Sequence, residues 1–357
     1  MVDPVLLQID ALGGRTAVEF VYWLIAAFAG GCFGAAIGAL PAFCFTGFAV
    51  IAGEAANLVG VEVGEGVAGG VTGLVGFGPV FGPHIAFAGG AAAAAYAAKK
   101  EGAMPPQEDG GYHPGKDIAY ALGTRPDVLA VGGIFGIFGA ISNTLLGSLV
   151  ATAVAFDTIA FTVFFSALLH RIVLGYSLFG SPGGSGYFDM TPFENGEEVA
   201  ADGGSEVMRP AVEPWLPHQY KWGNVAFIGL IAGLLGGFLV ISTNSMFLGF
   251  GISAASLTFL NLGVEKIPVT HHMTLPGSAG AAAFVADPTG TSQIVALLLG
   301  GAFGVLGALV GEAGQRIFYA HGDTHVDPPA FAIFVCTILI GILSVAGVTQ
   351  RGLFAVF

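Results

Sequence analysis

The sequence predicts an all-α, polytopic integral membrane protein: a bundle of about ten hydrophobic helical segments, arranged as two tandem, inverted repeats. Three observations lead to this prediction. Of the 357 residues, 54% are apolar and only 10% are charged, whereas a soluble domain is about one quarter charged. The mean hydropathy is +0.80, and apolar runs long enough to cross a bilayer recur along the chain. Several blocks of sequence also occur twice in the same order.

The composition excludes a disordered protein, a disulfide-stapled secreted domain and an ordinary soluble enzyme. The formal charge is -13, with 24 acidic and 11 basic residues. Basic residues are too few and too scattered for a nucleic-acid-binding surface. The acidic residues cluster in two loops, which is typical of a protein exposed to a high-salt, halophilic environment. The first apolar run is longer than a cleavable signal, so we expect it to remain as a membrane anchor.

The first repeat is expected over residues 17–180. It opens with two apolar runs, which we expect to separate at Pro41. The Gly- and Pro-rich stretch that follows would make a poor helix, and the next segment is too short for a crossing of about 20 residues. Two longer segments complete the repeat. In order, the expected segments are 18–40, 42–59, 64–83, 85–98, 128–156 and 158–179.

An acidic aqueous linker is expected over residues 181–222, and the second repeat over 223–350. The second repeat shows the same order of long and short segments. The short segment of each repeat is a candidate re-entrant or broken helix, because irregular backbone in a membrane must be buried in protein or line a cavity. The expected segments are 225–241, 246–262, 272–286, 294–320 and 330–348.

The internal duplication depends on matched blocks that keep their order. An odd number of segments in each repeat would invert one repeat relative to the other. The block 132–140 matches 300–308, and Asp157 matches Asp327. The remaining matches are Ala29-Gly30 with Ala232-Gly233, Gly60-Val61-Glu62 with Gly263-Val264-Glu265, and His84 with His272.

Paired interruptions in two repeats are a pointer to a transporter binding site. His84 opens one short segment, and His271 and His272 open the other. An imidazole at the start of a half-helix could bind an anion, relay a proton or hold a metal ion. Alternatively, each histidine caps or hydrogen-bonds a neighbour. Thr270 and Thr274 belong to the same candidate site.

Four further polar residues lie in or beside apolar segments. Asn143 and Asn244 could line a solute or ion pathway, or could form hydrogen bonds between helices. Asp157 and Asp327 stand at the starts of apolar helices. They are therefore expected to act as N-caps or as pathway groups.

The loop 321–327 contains the one dense cluster of metal-ligand residue types. His321, Asp323 and His325 could hold zinc or another divalent ion, and a solvated loop between helices is the alternative interpretation. We predict no cofactor apart from such a bound ion.

The sequence carries no phosphate-binding loop of an ATP-driven pump and no catalytic motif, so we do not expect an enzyme. We expect a secondary transporter or channel that moves a small solute or ion at a site between the two repeats. The alternatives are a structural or accessory subunit of an oligomer, and a membrane metal-binding protein or metalloenzyme. We expect a multi-pass protein of the plasma membrane that contacts lipid, forms a homo-oligomer and does not bind nucleic acid.

Overall fold

The computed structural model describes residues 13–63, 70–150, 154–201, 206–285 and 288–349. Their regular secondary structure is almost entirely helical. In chain order the helices are α1 (Ala17–Ile37), α2 (Ala39–Val63), α3 (Ala88–Ala97), α4 (Pro126–Val150), α5 (Thr158–Leu174), α6 (Thr191–Glu194), α7 (Trp222–Thr243), α8 (Leu248–Asn261), α9 (His271–Phe284), α10 (Thr291–Gly314) and α11 (Pro328–Val345). A two-stranded antiparallel hairpin, β1 (Glu198–Ala200) and β2 (Met208–Pro210), follows α6.

Three wide helical turns interrupt or extend this pattern. One spans Thr72–Gly76, the second (Pro83–Phe87) leads directly into α3, and the third (Gln315–Tyr319) extends α10. Turns of this kind occur mostly as short insertions in helices, and often at functional sites.

Six helices of the described chain are long and apolar enough to cross a membrane, so the protein is an integral membrane protein. These helices are α1, α2, α4, α7, α10 with its extension, and α11. α5 and α8 are apolar but shorter, and α3 and α9 are short as expected. The expected number of about ten segments is therefore not confirmed as a number of crossings.

The ends of α1 follow from local sequence. Thr16 and Glu19 form a capping box, in which the Glu19 amide donates to Thr16 Oγ1 at 3.3 Å and the Thr16 amide donates to Glu19 Oε2 at 2.8 Å. α1 ends at Gly38, whose φ of +94° is readily adopted only by glycine. The expected break at Pro41 is wrong. Pro41 lies in the first turn of α2, where its missing N–H costs no helical hydrogen bond.

Helices α1–α5 form the first set and α7–α11 the second set, and the two sets pack in the same pairwise order. In each set the first helix packs antiparallel against the fourth through glycine backbone. Gly31 lies against Gly132 and Gly136, and Gly233 lies against Gly300 and Gly304. The position matching Gly233 is thus Gly31, so the predicted alignment with Gly30 is wrong by one residue.

The short helix of each set begins near the middle of the fourth helix. A methyl group on Gly139 of α4 would overlap the His84 carbonyl, and one on Gly307 of α10 would overlap the His272 carbonyl. From these points α3 runs toward the start of α4, and α9 runs toward the start of α10. This direction is fixed by the contacts of Gly89 with Gly132 and of Gly277 with Gly300.

Pro276 lies inside α9, and the helix continues through it. Proline lacks an N–H, so the carbonyl of His272, four residues earlier, receives no helical bond from this position. That carbonyl lies against the backbone of Gly307 instead.

Two pairs of helices join the sets, and both pairs run antiparallel. Along α2 and α8, Gly47 lies against Ala254 and Ala255, and nearer the other end Glu54 accepts a hydrogen bond from Ser245 at 2.5 Å.

Along α5 and α11, Phe161 stacks edge-on against Phe334 with ring centroids 4.9 Å apart, and Phe164 packs against Phe331 at 5.1 Å. As the residue number rises on α5, that of its partner on α11 falls.

The long loops gather on one face, which we call the cap: the described parts of residues 99–125, 175–221 and 320–327. The His325 amide donates to Gly115 O at 3.2 Å, and the Glu213 amide donates to Ala320 O at 2.9 Å. Arg316, in the wide turn that extends α10, donates to Tyr220 O at 2.9 Å. The end of α10 and the start of α4 therefore both lie at the cap, so α3 runs toward the cap and α9 runs away from it.

Candidate functional site

A cavity of about 210 Å³ lies between the two sets. Most of its wall is apolar, and six phenylalanines contribute to it: Phe43, Phe77, Phe87, Phe156, Phe247 and Phe250. The polar residues that line it are Lys116, Asn143, Asp157, Thr158, His271, Tyr319, His325 and Asp327. The cavity is thus an aromatic chamber with a limited number of polar groups, as is typical of small-molecule sites.

Both sets contribute matching positions to this wall. From α5 and from α11, the N-cap carboxylate and the residues three and six positions later line the cavity. At the starts of α3 and of α9, two residues four positions apart line it as well. The residues are Asp157, Ala160 and Val163 with Asp327, Ala330 and Ile333, and Pro83 and Phe87 with His271 and Leu275. The cap closes one end with residues that have no counterpart at the other end.

The predicted histidine pair is not brought together in the cavity. His84 and His272 are both buried, but neither lines the chamber. His272 lies against Gly311 and the Trp215 ring, whose centroid is 6.0 Å away.

The neighbouring His271 does line the cavity. Its ring centroid is 4.8 Å from that of Phe43 and 5.8 Å from that of Phe250. The match between the two repeats pairs His84 with His272. The cavity is lined instead by the preceding residue in each set, Pro83 and His271.

The two predicted threonines are engaged in local hydrogen bonds. Thr270 Oγ1 lies 2.6 Å from Ser253 Oγ, and Thr274 Oγ1 donates to His271 O at 3.2 Å. Asn244 ends α7 in the left-handed conformation with φ of +54°, a role that asparagine fills more readily than most residues. None of the three is among the residues that line the cavity.

Besides His271, three of the predicted pathway positions line the cavity wall: Asn143, Asp157 and Asp327. Asn143 Oδ1 accepts a hydrogen bond of 2.6 Å from Thr158 Oγ1, next to Asp157. The Asp157 carboxylate accepts from the Ala160 amide at 2.8 Å, so it is an N-cap as expected. Asp327 is the corresponding cap of α11, with a bond of 2.8 Å from the Ala330 amide.

The Asp157 amide donates to the Thr337 hydroxyl of α11, so Asp157 lies beside Thr337. At 1.5 Å per residue, Thr337 is roughly 15 Å along α11 from Asp327. The two carboxylates therefore lie toward opposite ends of the chamber.

The cap end of the cavity carries a buried ion pair that sequence analysis did not identify. Lys116 Nζ lies 2.6 Å from Glu213 Oε2, and both side chains are almost fully buried. Burial lowers the pKa of the Lys116 ammonium to about 8, against the opposing effect of Glu213. Arg209 Nη1 lies 3.7 Å from Glu213 Oε1. Both loops appear solvated and polar in the sequence, so no local signal marks this pair as buried.

The residues of the expected metal cluster point to different partners. His321 Nε2 lies 3.0 Å from Tyr187 O, and Asp323 accepts from Arg209 at 2.7 Å. His325 Nε2 lies 3.3 Å from Asp327 Oδ1. Among the described residues, no group of three or more His, Cys, Asp or Glu side chains is arranged to hold a metal ion. Metal binding here stays a prediction without geometric support.

Burial and neighbouring charges in the cap shift the pKa values of two side chains in the loop 321–327. Burial acts to raise the pKa of Asp323, but the hydrogen bond and charge of Arg209 lower it overall. Burial lowers the pKa of the His321 imidazole. The loop is anchored by the buried Arg171, whose Nη2 donates to Thr324 O at 2.7 Å. These contacts make the loop a structural part of the cap.

Residues 14–357 match the model of a protein family described as a family of unknown function (DUF7973). No curated protein and no solved structure matches the chain. Any function must therefore be argued from the geometry of the site.

Proposed function

This chain belongs to DUF7973, a family of unknown function, and we propose that it is a secondary transporter that carries a small solute through the cavity between its two helix sets. The observation that supports this most directly is a chamber walled by matching residues of both sets. A solute held there contacts both sets, so a change in how they pack would expose it to one side or the other.

The half-helices support the same proposal. α3 and α9 both begin beside the midpoint of a long helix and run to opposite faces, and each contributes the residues at its start to the chamber. Discontinuous helices that end at mid-depth form the substrate sites of many secondary transporters.

We include the inverted duplication in this proposal. The matching helices α2 and α8 pack antiparallel, and so do α5 and α11. A two-fold axis that relates antiparallel helices is perpendicular to them, and for membrane-crossing helices such an axis lies in the membrane plane. This is the symmetry of inverted repeats. The unit boundaries are those given above, 17–180 and 223–350.

The remaining parts of the proposal follow from the sequence. Transport would use an ion gradient or simple diffusion, because no ATP-binding motif is present. The protein would act in the plasma membrane as a homo-oligomer.

Reconstituted vesicles test the proposal. Purified protein is placed in liposomes, and the uptake of organic cations, organic anions, Na⁺, K⁺ and Cl⁻ is measured under imposed pH, Na⁺ and voltage gradients. We expect uptake of at least one solute above that of empty liposomes. Uptake equal to that of empty liposomes for every solute and gradient would contradict the proposal.

A blocking experiment ties the flux to the cavity. In a background with Cys32, Cys44 and Cys336 changed to alanine, Ala330→Cys places a thiol in the cavity wall, and Ala121→Cys places one on the exposed surface of the cap. A thiol-specific reagent is added after folding. Labelling of Ala330→Cys should abolish uptake, whereas labelling of Ala121→Cys should not. Full uptake by labelled Ala330→Cys protein would exclude the chamber as the pathway.

A further inference from the structure

The charges that line the cavity are unequally compensated. At the cap end, the Lys116 ammonium lies 2.6 Å from the Glu213 carboxylate and 4.6 Å above the centre of the Tyr319 ring. A positive group held in this way by a carboxylate and an aromatic face contributes little net charge to the chamber.

Asp157, toward the opposite end, has no such partner. Its carboxylate accepts the Ala160 amide, and the ion pairs within 4 Å found in the described chain include none to this residue. Its counterpart Asp327 differs in having a side-chain hydrogen-bond partner, because His325 Nε2 lies 3.3 Å from Asp327 Oδ1. The wall of the chamber therefore carries an excess of negative charge at the Asp157 end.

The apolar wall is aromatic and continuous. The Phe43 ring lies edge-on to Phe250 and to Phe87, with centroids 5.8 Å apart in both pairs. The Phe77 ring contacts Phe247 at 5.1 Å and Phe250 at 5.7 Å. The faces of aromatic rings attract cations, and the attraction is stronger where water is excluded.

We propose that the cavity binds a small hydrophobic organic cation, whose ammonium group pairs with Asp157 and whose apolar body lies among the phenylalanines. This inference names the substrate class of the transporter proposed above and rests on that proposal. An apolar body suits the wall, and a single positive charge compensates the Asp157 carboxylate, which has no cationic partner among the ion pairs of the described residues. A carboxylate solute would instead face Asp157 and would have to displace Glu213 from Lys116.

The size of the cavity limits which organic cations can fit. An engineered protein cavity of about 150 Å³ accommodates benzene, and the chamber here measures about 210 Å³. The volume therefore suits one aromatic ring or a branched alkyl group with a short ammonium arm. Large dyes and peptides do not fit.

Equilibrium binding to the full-length protein in detergent tests the inference apart from flux. The probes are benzyltrimethylammonium, a permanent cation, and benzenesulfonate, a permanent anion with the same ring. We expect the cation to bind and the anion to bind at least about tenfold more weakly, as expected for a charge-assisted contact. Equal binding of the two probes, or stronger binding of the anion, would overturn the inference.

Asp157→Asn removes the charge and keeps the N-cap, because asparagine caps helices as well as aspartate does. It should weaken cation binding by about tenfold or more. The matched control is Asp127→Asn, in the first turn of α4, where the carboxylate pairs with Arg125 outside the cavity. Unchanged cation binding by Asp157→Asn would exclude Asp157 as the ammonium partner.

Phe250→Leu supplies an independent test should Asp157→Asn fail to fold. It keeps an apolar side chain but removes the ring, so it should weaken binding of the cation by several-fold. Unchanged binding of the cation by Phe250→Leu would contradict the aromatic contact.

Binding and flux separate the two proposals. Cation binding that depends on Asp157 without uptake of any solute into liposomes would support the site and refute the transporter. Uptake of an anion or a neutral solute, without binding of the cation, would support the transporter and refute the substrate class.

Discussion

The buried pair Lys116–Glu213 at the cap end of the cavity yields a prediction with a magnitude and a pH dependence. Glu213→Gln removes the carboxylate 2.6 Å from Lys116 Nζ and leaves an ammonium group in a buried site. Burial already depresses the pKa of Lys116 from 10.5 to about 8 with Glu213 present. At about 1.4 kcal/mol per pKa unit, that depression corresponds to roughly 3 kcal/mol of unfavourable free energy.

Without Glu213 the ammonium can lose its proton, and this limits the cost. Deprotonating at pH 7 a lysine whose unfolded pKa is 10.5 costs about 5 kcal/mol, and at pH 9 the same step costs about 2 kcal/mol. Because the wild-type protein already carries about 3 kcal/mol of this cost, we expect Glu213→Gln to lower the free energy of unfolding by about 2 kcal/mol at pH 7. The loss should shrink as the pH rises to 9, because a lysine with a depressed folded pKa destabilises the protein only while it would be protonated when unfolded.

Lys116→Met should cost less, about 1 kcal/mol at pH 7. It leaves Glu213 with Arg209 Nη1 at 3.7 Å and with the His113 amide at 3.3 Å. Methionine also fits the apolar environment of the lysine stem. The cost of this variant should rise by about 1 kcal/mol between pH 7 and pH 9, because the wild-type lysine, whose pKa is lowered to about 8, destabilises the folded protein less as the pH rises.

The assay is unfolding of the purified protein by SDS in mixed micelles, followed by circular dichroism at pH 7, 8 and 9. The double variant Lys116→Met with Glu213→Gln should be more stable than the sum of the two single losses predicts, because it lacks the buried unpaired ammonium that Glu213→Gln alone leaves. Equal, pH-independent losses for the two single variants would refute the reasoning.

Three further predictions concern packing, the contact between the sets and the linker. Gly307→Ala places a methyl group against the His272 carbonyl and should cost about 1 to 3 kcal/mol in the same assay, whereas Gly223→Ala meets no atom within 4 Å and should be nearly neutral. Glu54→Leu removes the carboxylate that accepts hydrogen bonds from the Thr72 and Ser245 hydroxyl groups, and it should lower the free energy of unfolding by about 3 kcal/mol. Hydrogen bonds from Thr191 and Ser185 hold the pKa of Asp189 well below 3.8. Protection of the linker amides from hydrogen exchange should therefore be present at pH 6 and should be lost as the pH falls below 3.8. Asp189→Ala should abolish this pH dependence.

Each of these has a contrary result. Equal stability of Gly307→Ala and Gly223→Ala would contradict the backbone contact at α10. A neutral Glu54→Leu would show that its hydrogen bonds are replaced without cost. Unchanged protection of the linker in the acid range would show that the Asp189 bonds do not hold it.

The overall class could be predicted from the sequence, because hydrophobic length and glycine spacing are local properties. The block 132–140 identifies the helix that packs against α1, and the short segments at His84 and His271 correspond to α3 and α9. The break between α1 and α2 was misplaced because a proline is compatible with a first turn, whereas a glycine with positive φ is not distinguishable in sequence from the many helical glycines around it.

The site was predicted only in part for a related reason. Asn143 was identified as a polar residue within an apolar segment, and Asp157 and Asp327 as matched acidic residues at the starts of apolar helices; all three line the cavity. His271 is adjacent to the residue that the alignment emphasised, and one position on a helix rotates a side chain by about 100°. Lys116 and Glu213 are about a hundred residues apart in loops that look fully solvated, so their burial is a tertiary effect that no local pattern encodes.

The cap has a consequence for how the two faces behave. If the helix sets are exchanged by a two-fold operation, the helices alone would favour neither face for opening. The cap removes this equality, since its ion pair, its arginine anchors and its interlocked loops would all have to part before solvent entered from that side. In the absence of solute, the protein should therefore open more readily at the face that lacks the cap. Solutes would then enter the cavity mainly from that face, although the two helix sets are related by symmetry.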